Sequence, residues 1–584
     1  STVSGGYGNC ASSLYSTVGG GLTNCASGTA STVSGGYGNC ASSLYSTVSG
    51  GSSNIASASG STVSGGTGNC ASGYVSTVGG GYCNITNARH STINGGHRNV
   101  IQSPTNECCS RGVTIGGGVG HNSSGGTLDA TTGDLTGTIT CCNAGAYSTI
   151  GGGLRNCATG SYSTVSGGQF NTASSDYSTV SGGYCNTASG YCSTVSGGDS
   201  NCASADYSTV GGGAGNCASG SNSTVGGGGS VFGGNIASAD YSTVSGGDSN
   251  YASGNYSTVG GGFYHCASAN YSTVSGGSSN CASGSNSTVS GGYCNSASAT
   301  SSTVSGGCCN ITNARYSVIS GGHYNIIQSP TNECCSRGAT IGGGVGHNSS
   351  GGTLDATTGD LTGTITCCDA GRFSTIGGGL RNIVTGIYST VSGGQSNCAS
   401  GNNSTVSGGY NNCASGCCST VGGGRSNRAL GNWSTVSGGQ TNSASGCNST
   451  VSGGRFNCAS ANCSTVSGGR DNSASGCSST VSGGQGNSAS GDYSNVSGGY
   501  FNCALGVSST ISGGRQAKAS KYGEVAHAAG LFAQKGDAQH SVLVARRNTT
   551  NATVTTLFLD GVDDRLTLPA ETTWTFSINL SAYN

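Results

Sequence analysis

The residues best equipped for covalent chemistry are the 32 cysteines. Thirteen stand eight residues after the Thr of an S-T-V tripeptide: Cys10, Cys25, Cys40, Cys70, Cys157, Cys202, Cys217, Cys266, Cys281, Cys398, Cys413, Cys458 and Cys503. Other occupants of that place include Ile55, Thr172, Ser296 and Ile311, so it mostly accepts small or apolar side chains. Two roles fit. One is a small buried hydrophobe. The other is cross-linking: repeats stacked about 4.8 Å apart would bring neighbouring thiols within the Cα separation of a disulfide. Cys10, Cys25 and Cys40 would then leave one of the three unpaired, and bonds between chains are a further option. Tyr251 and Arg428 fit neither role. Twelve more cysteines form six C-C pairs, among them Cys308-Cys309 and Cys417-Cys418. The pairs Cys108-Cys109, Cys141-Cys142, Cys334-Cys335 and Cys367-Cys368 fall in non-repeating segments. They are the best disulfide candidates, since loops without a core need staples.

Other chemistry is weakly supported. No C-x-x-C meets a second such pair at finger spacing, so no metal is expected, and no cofactor. The eight His are scattered, and Ser is too abundant for a Ser-His-Asp triad to stand out. Asp129 with Asp134, copied as Asp355 with Asp360, matches no calcium loop. Asn84, Asn122, Asn310, Asn348, Asn548 and Asn551 head N-x-[ST] sequons and are candidate glycosylation sites in a secretory setting. Asn222, Asn286, Asn403 and Asn448 share the pattern, which arises trivially where Asn precedes S-T.

These residues are positioned by a repeat. The S-T-V Thr recurs every 15 residues from Thr2 to Thr92, and again in three later blocks, giving 29 repeats of consensus Y-S-T-V-S-G-G-x-x-N-C-A-S-G-x. The residue after the Thr is Val or Ile in all 29, and the ninth after it is Ala in 24. Those two columns are expected inside. The Gly-Gly pair permits a tight reversal. The Asn seven after the Thr recurs in 27 repeats, with His265 and Ala517 as exceptions, and suggests a stacked amide ladder. Fifteen residues are too few for two packed helices but suit one coil of a parallel β-solenoid, with S-T-V and N-C-A-S as short strands. At about 4.8 Å per coil, 29 coils predict a rod of roughly 140 Å. A Val-plus-Ala core is thin, so stability must come from stacking many coils and from association with other copies.

The alternating A-S-G and S-T-V-S-G-G units resemble the head repeats of trimeric autotransporter adhesins, and similar repeats occur in phage and giant-virus fibres. The resemblance covers about residues 1–515 and implies a left-handed β-roll with three chains to a rod. The fold expected is therefore all-β: a homotrimeric solenoid of 15-residue coils, closed by a small antiparallel β domain.

Two interruptions break the repeat. Residues 84–156 and 310–382 are near copies, identical at 64 of 73 positions. Thr114-Ile115-Gly116 reads as a surviving coil with loops extruded on either side. The loops are either lateral decorations that bind a partner or brace a trimer, or insertions tolerated at the surface and copied with the repeat. The expected organisation is repeats at 1–92, an interruption at 93–148, repeats at 149–318, the second interruption at 319–374, repeats at 375–514 and a C-terminal β domain at 515–584. In that last segment, alternation at 541–546, 553–559, 565–568 and 573–580 predicts antiparallel strands, and Asp560-Gly561 a turn. Gly530-x-Phe532-Ala533-x-x-Gly536-Asp537-Ala538-Gln539, Leu557-Phe558-Leu559-Asp560-Gly561 and Trp574-Thr575-Phe576-Ser577-Ile578 resemble the C-terminal chaperone domain of phage and viral tail fibres. The resemblance implies trimer assembly and, in some members, self-cleavage. The family's domain runs further, so this one reads as incomplete and no catalytic residue is carried over.

Composition agrees with a fibre. Lys and Arg number 19 against 20 acids, which leaves no basic excess for nucleic acid. There is no 18-residue apolar run to insert as a membrane helix, and Pro is too rare for collagen. Met is absent, so a processed or partial chain is expected. The function expected is structural, not enzymatic: a virion or phage-tail fibre, extracellular or on the virion surface, that contacts a host glycan or protein. A cellular surface adhesin or matrix filament is the alternative. An ice-binding solenoid is a remote one, since a single Thr column recurs.

Overall fold

A computed structural model describes residues 1–103, 110–123, 145–230, 233–329, 336–349, 370–547, 555–562, 564–567, 575 and 577–579, with 127–128, 135–136, 353–354 and 361–362 as backbone alone. The chain divides into two units, Ser1–Asn295 and Ser296–Asn584, each of which is a parallel β-solenoid of 15-residue coils. There is no helix among the described residues.

Each coil carries two strands of two residues. The first is the T-V step, as in Thr17–Val18, and the second the C-A step, as in Cys25–Ala26. Both pair in parallel register with the same columns of adjacent coils, Thr17 with Thr2 and Thr32, and Cys25 with Cys10 and Cys40. A third contact joins coils midway between the strands, through single bridges such as Tyr7 to Leu22 and Leu22 to Tyr37. Strands this short have no stability alone, and repetition supplies it.

Four columns point inward. Val18 and Ala26 and their equivalents beyond the first coil have no exposure, as the repeat predicted. Asn24 and Ser16 and their equivalents are equally buried. The Asn ladder is present. The Asn24 Nδ2 donates to the Gly20 carbonyl (2.9 Å) in its own coil and to that of Gly36 (2.8 Å) in the next. Its Oδ1 accepts the backbone N–H of Asn39 (3.0 Å). One side chain thus closes the corner of its coil and fixes the register of the next. In some coils the buried Ser ties the opposite corner, as where the Ser16 hydroxyl donates to the Ser13 carbonyl (2.7 Å); in others, such as Ser31 and Ser163, the hydroxyl makes no such bond.

The corners demand unusual backbone. Gly21 has φ +95, and a Cβ there would stand 2.2 Å from the Gly36 carbonyl oxygen, so only glycine lets the coils approach. Two further left-handed positions recur at non-glycine residues, as in Tyr15 (φ 56) and Thr23 (φ 56). Each costs about 1–2 kcal/mol, which stacking must offset.

In the interruptions, Thr114–Ile115 pairs with Thr92–Ile93 and with Thr149–Ile150, so a coil does survive there. Its copy, Thr340–Ile341, pairs in the same way. From each a two-strand antiparallel hairpin emerges, Thr127–Leu128 with Leu135–Thr136 and Thr353–Leu354 with Leu361–Thr362. The paired aspartates 129 and 134, and 355 and 360, lie outside the described residues.

The solenoid passes the expected boundary at 515. Lys518–Ala519 still pairs with Cys503–Ala504, and Val525–Gly530 runs parallel to Thr510–Gly514. Only then does the sense change, with Ala538–Val542 antiparallel to Val525–Gly530. Of the later strands expected, an antiparallel bridge joins Arg546 to Phe558, while 565–567 has no regular structure. The Asp560-Gly561 turn is present: Asp560 Oδ1 accepts the Val562 N–H (2.8 Å) and Gly561 has φ +85.

Candidate functional site

The repeat leaves no single cleft to examine. Chemistry falls instead on the columns that point outward and on the end of the stack.

The cysteine column is the first. Period-two alternation in the C-A strand places Ala26 inside and Cys25 on the outer face, where it is half-exposed. The expectation of a small buried hydrophobe is therefore corrected: it is the neighbouring Ala that fills the core. An outward column also explains Tyr251 and Arg428, both exposed, which need no room inside. Register brings cysteines face to face on adjacent coils: Cys202 with Cys217, Cys266 with Cys281, and Cys398 with Cys413. All are free thiols. In each pair one thiol is pulled below the usual thiol range by the S–H its neighbour donates: Cys217 by Cys202, Cys266 by Cys281, and Cys413 by Cys398, with the positive charge of Arg428 adding to the last. Burial instead pushes up the unpaired thiols Cys70 and Cys458. The sulfurs of Cys308 and Cys309 lie 3.4 Å apart, and those of Cys417 and Cys418 3.7 Å apart. The four preferred disulfide pairs, Cys108-Cys109, Cys141-Cys142, Cys334-Cys335 and Cys367-Cys368, lie outside the described residues.

The candidate glycosylation sites divide by column. Asn84 and Asn310 are rungs of the internal ladder, fully buried, and each donates its Nδ2 to two glycine carbonyls at 2.8–3.0 Å. Asn122 and Asn348 are buried as well. A glycan needs that nitrogen at the surface, so the folded coil withholds all four. Asn548 and Asn551 lie outside the described residues. Other sequons do reach solvent, among them Asn222, Asn286, Asn403 and Asn448, which occupy left-handed corners where Asn is tolerated. Tyrosine is the commonest other residue of that column, and neighbouring tyrosines form ladders: Tyr147, Tyr162 and Tyr177 stack at 4.9 and 5.1 Å, and Tyr241, Tyr256 and Tyr271 at 4.7 and 5.0 Å.

Three histidines prove to be rungs of the asparagine ladder. His265 was visible as a substitute in the repeat. His121 and His347 were not, because the extruded loops hide their phase. The His347 N–H donates to Asn325 Oδ1 (3.0 Å), and its Nδ1 accepts the Asn382 N–H (3.0 Å). His121 does the same between Asn99 and Asn156. Nδ1 as acceptor requires a neutral ring, and burial pulls both histidines down to about 4.

At the C-terminal end the ladder stops at Ala517, whose N–H takes the last amide oxygen, from Asn502 (2.9 Å). A parallel stack that ends leaves an edge able to recruit another strand. Here Gln539 covers it. Its Oε1 accepts the Lys518 N–H and its Nε2 donates to the Lys518 carbonyl, both at 2.7 Å, as a further coil would. Glu524, 2% exposed, takes the place of the buried Ser and accepts from the N–H groups of Ser520 and Lys521 and from the Ser541 hydroxyl. Asp537 orders the turn before the last strand by accepting the N–H groups of Phe532, Ala533 and Gln534. Those bonds, that of Gln534 foremost, hold its carboxyl below the usual range. The motif at 530–539 therefore ends the solenoid.

The family model of the ubiquitous surface protein adhesin repeat matches residues 242–254 and 404–416, one window in each unit. Each window opens on the buried Ser (Ser242, Ser404) and takes in both strands, the Gly-Gly corner and the Asn rung. The repeat is adhesin-like. No curated protein matches the chain. No helix of the described residues is long and apolar enough to cross a membrane.

Proposed function

We propose that this chain is a surface fibre with an adhesive role and no enzymatic one. The observation that carries the reading is the register. Every rung sets the phase of the next, so each outward column presents one side chain per coil at one regular spacing. Such a surface makes many weak contacts in register, which add by avidity. A host-surface glycan or protein is the partner class that suits it. Three chains to a fibre is the assembly that the adhesin-like repeat supports, together with a core of little more than Val and Ala, which buries little apolar area per coil. The resemblance of the C-terminal segment favours a virion or phage-tail fibre, with that segment setting trimer register and with self-cleavage as its possible processing. The adhesin match favours a cellular surface protein, and this is the second reading.

Native mass measurement of the chain, reduced and unreduced, with immunogold labelling of whole particles and cells, tests it. Three chains per assembly and label on an outer surface are expected. A monomer would remove the trimer, and label confined to the interior would remove the fibre.

A further inference from the structure

The bridge column between the two strands carries the most uneven charge in the molecule. In the first unit it holds no Lys or Arg, and it includes Asp199 and Asp248. In the second unit it runs Arg425, Gln440, Arg455, Arg470, Gln485, Tyr500, Arg515, each bridged in parallel to the next. All four arginines are exposed. Three are braced by aromatic rings: Arg425 over Tyr410 (5.6 Å), Arg455 over Phe456 (4.7 Å) and Arg515 over Tyr500 (5.3 Å). Arg470 has Asp471 beside it at 3.1 Å. Arg428 and Lys518, both exposed, lie one strand away, in the outward cysteine column.

We propose that this column is a binding track for a linear anionic polysaccharide, sulfated or carboxylated, lying along the stack. The proposal deepens the adhesive reading by naming the ligand class, and it rests on that reading for its biological setting. Three features favour it. First, the arginines fall at intervals of two, one and three coils, or about 10, 5 and 14 Å. A pyranose chain advances by close to one coil rise per sugar, so its acidic groups can meet successive guanidinium groups without bending. Second, Gln440 and Gln485 are interleaved at the same spacing and offer amide donors and acceptors to hydroxyl groups. Third, a ring packed against the guanidinium groups of Arg425, Arg455 and Arg515 limits their freedom and leaves the N–H edge free to meet an anion. A single-stranded nucleic acid is less suited. The ring faces that would stack bases are covered by arginine.

The test measures binding of the intact chain to immobilised heparin, with dextran as the neutral probe and single-stranded DNA as a competitor. Arg425, Arg455, Arg470 and Arg515 are changed together to Gln, and separately to Lys. A charge-matched control changes Arg98, Arg111, Arg155 and Arg381 to Gln. The Gln variant should bind heparin about 10- to 100-fold more weakly at physiological salt, while the Lys variant and the control stay within a few-fold of the parent. Unchanged binding in the Gln variant, or an equal loss in the control, would overturn the proposal. So would competition by single-stranded DNA at matched charge, which would reassign the track to nucleic acid. Attachment of the intact chain to cells stripped of anionic glycans would also remove the polysaccharide, yet leave the adhesive reading standing. Heparin binding by a chain that attaches to no cell would do the reverse.

Discussion

Asn427 and Arg428 are neighbours in the chain, yet they belong to different regimes. Asn427 faces inward, donates to the carbonyls of Gly423 and Gly439 and accepts the N–H of Asn442. Arg428 faces out, in a column that elsewhere carries Cys413, Ser443 or Cys458. The inner column hardly varies along the chain and the outer one varies freely. The difference between them is one Cβ alternation. A two-residue strand divides the labour of the coil: one residue holds the stack, and the next is left for the surface to use.

The largest test of that division is to cut one rung. Asn427→Ala would leave the buried Asn442 N–H and the Gly423 carbonyl without that partner, and the Gly439 carbonyl with the Arg425 N–H alone. The expected cost is about 3 kcal/mol, seen as faster hydrogen exchange and proteolysis in coils 405–460. Cys413→Ser, on the outer column of the adjoining coil, should stay within about 0.5 kcal/mol. Equal effects from the two would mean that the inner column does not hold the register.

How much of this could be read from the sequence follows the same line. The Val and Ala columns were legible because their composition is nearly invariant, and the Asn ladder because Asn recurs in 27 of 29 repeats beside the Gly-Gly corner. The burial of Ser16 and its equivalents was hidden by the abundance of Ser on every face. The direction of the cysteine column was hidden because a two-residue strand gives too little alternation to set its phase. Tyr15 at φ 56 breaks a local preference that only stacking overrides. The ends were hardest. Gln539 acts through both atoms of its amide on Lys518, 21 residues away, and no local pattern announces that. Of the candidate sites, the sequons were visible as motifs, but which column each belonged to was decided by the coil.

The histidine rungs sharpen the comparison with a smaller effect. Folded, His121 and His347 stay neutral down to about 4, against an ordinary value of 6.5. Between those values the unfolded chain binds more protons than the folded one, so stability falls as pH drops through the window and is intact above it. Thermal melts from pH 7 to pH 4 should show a progressive loss concentrated in the interrupted coils. His347→Asn restores the amide rung and should flatten the response of its own coil. A histidine on an outward column would have no such effect, so an unchanged profile in that variant would place the ring outside the ladder.

The smallest effect belongs to the outer column and concerns rate, not stability. In three facing pairs one thiol is pulled below the usual range by the other's S–H, so Cys413, Cys217 and Cys266 should alkylate faster at neutral pH than the solitary Cys70 and Cys458, which burial pushes up. Mapping iodoacetamide adducts by peptide mass over time gives the order directly. Cys398→Ala should slow Cys413 and leave Cys458 unchanged, because only the first loses its donor; Arg428→Gln should slow Cys413 less, since the charge it removes is the smaller of the two lowering effects. Uniform rates along the column would mean that each cysteine reacts by its own exposure, and that the register which governs the interior has no chemical consequence on the surface.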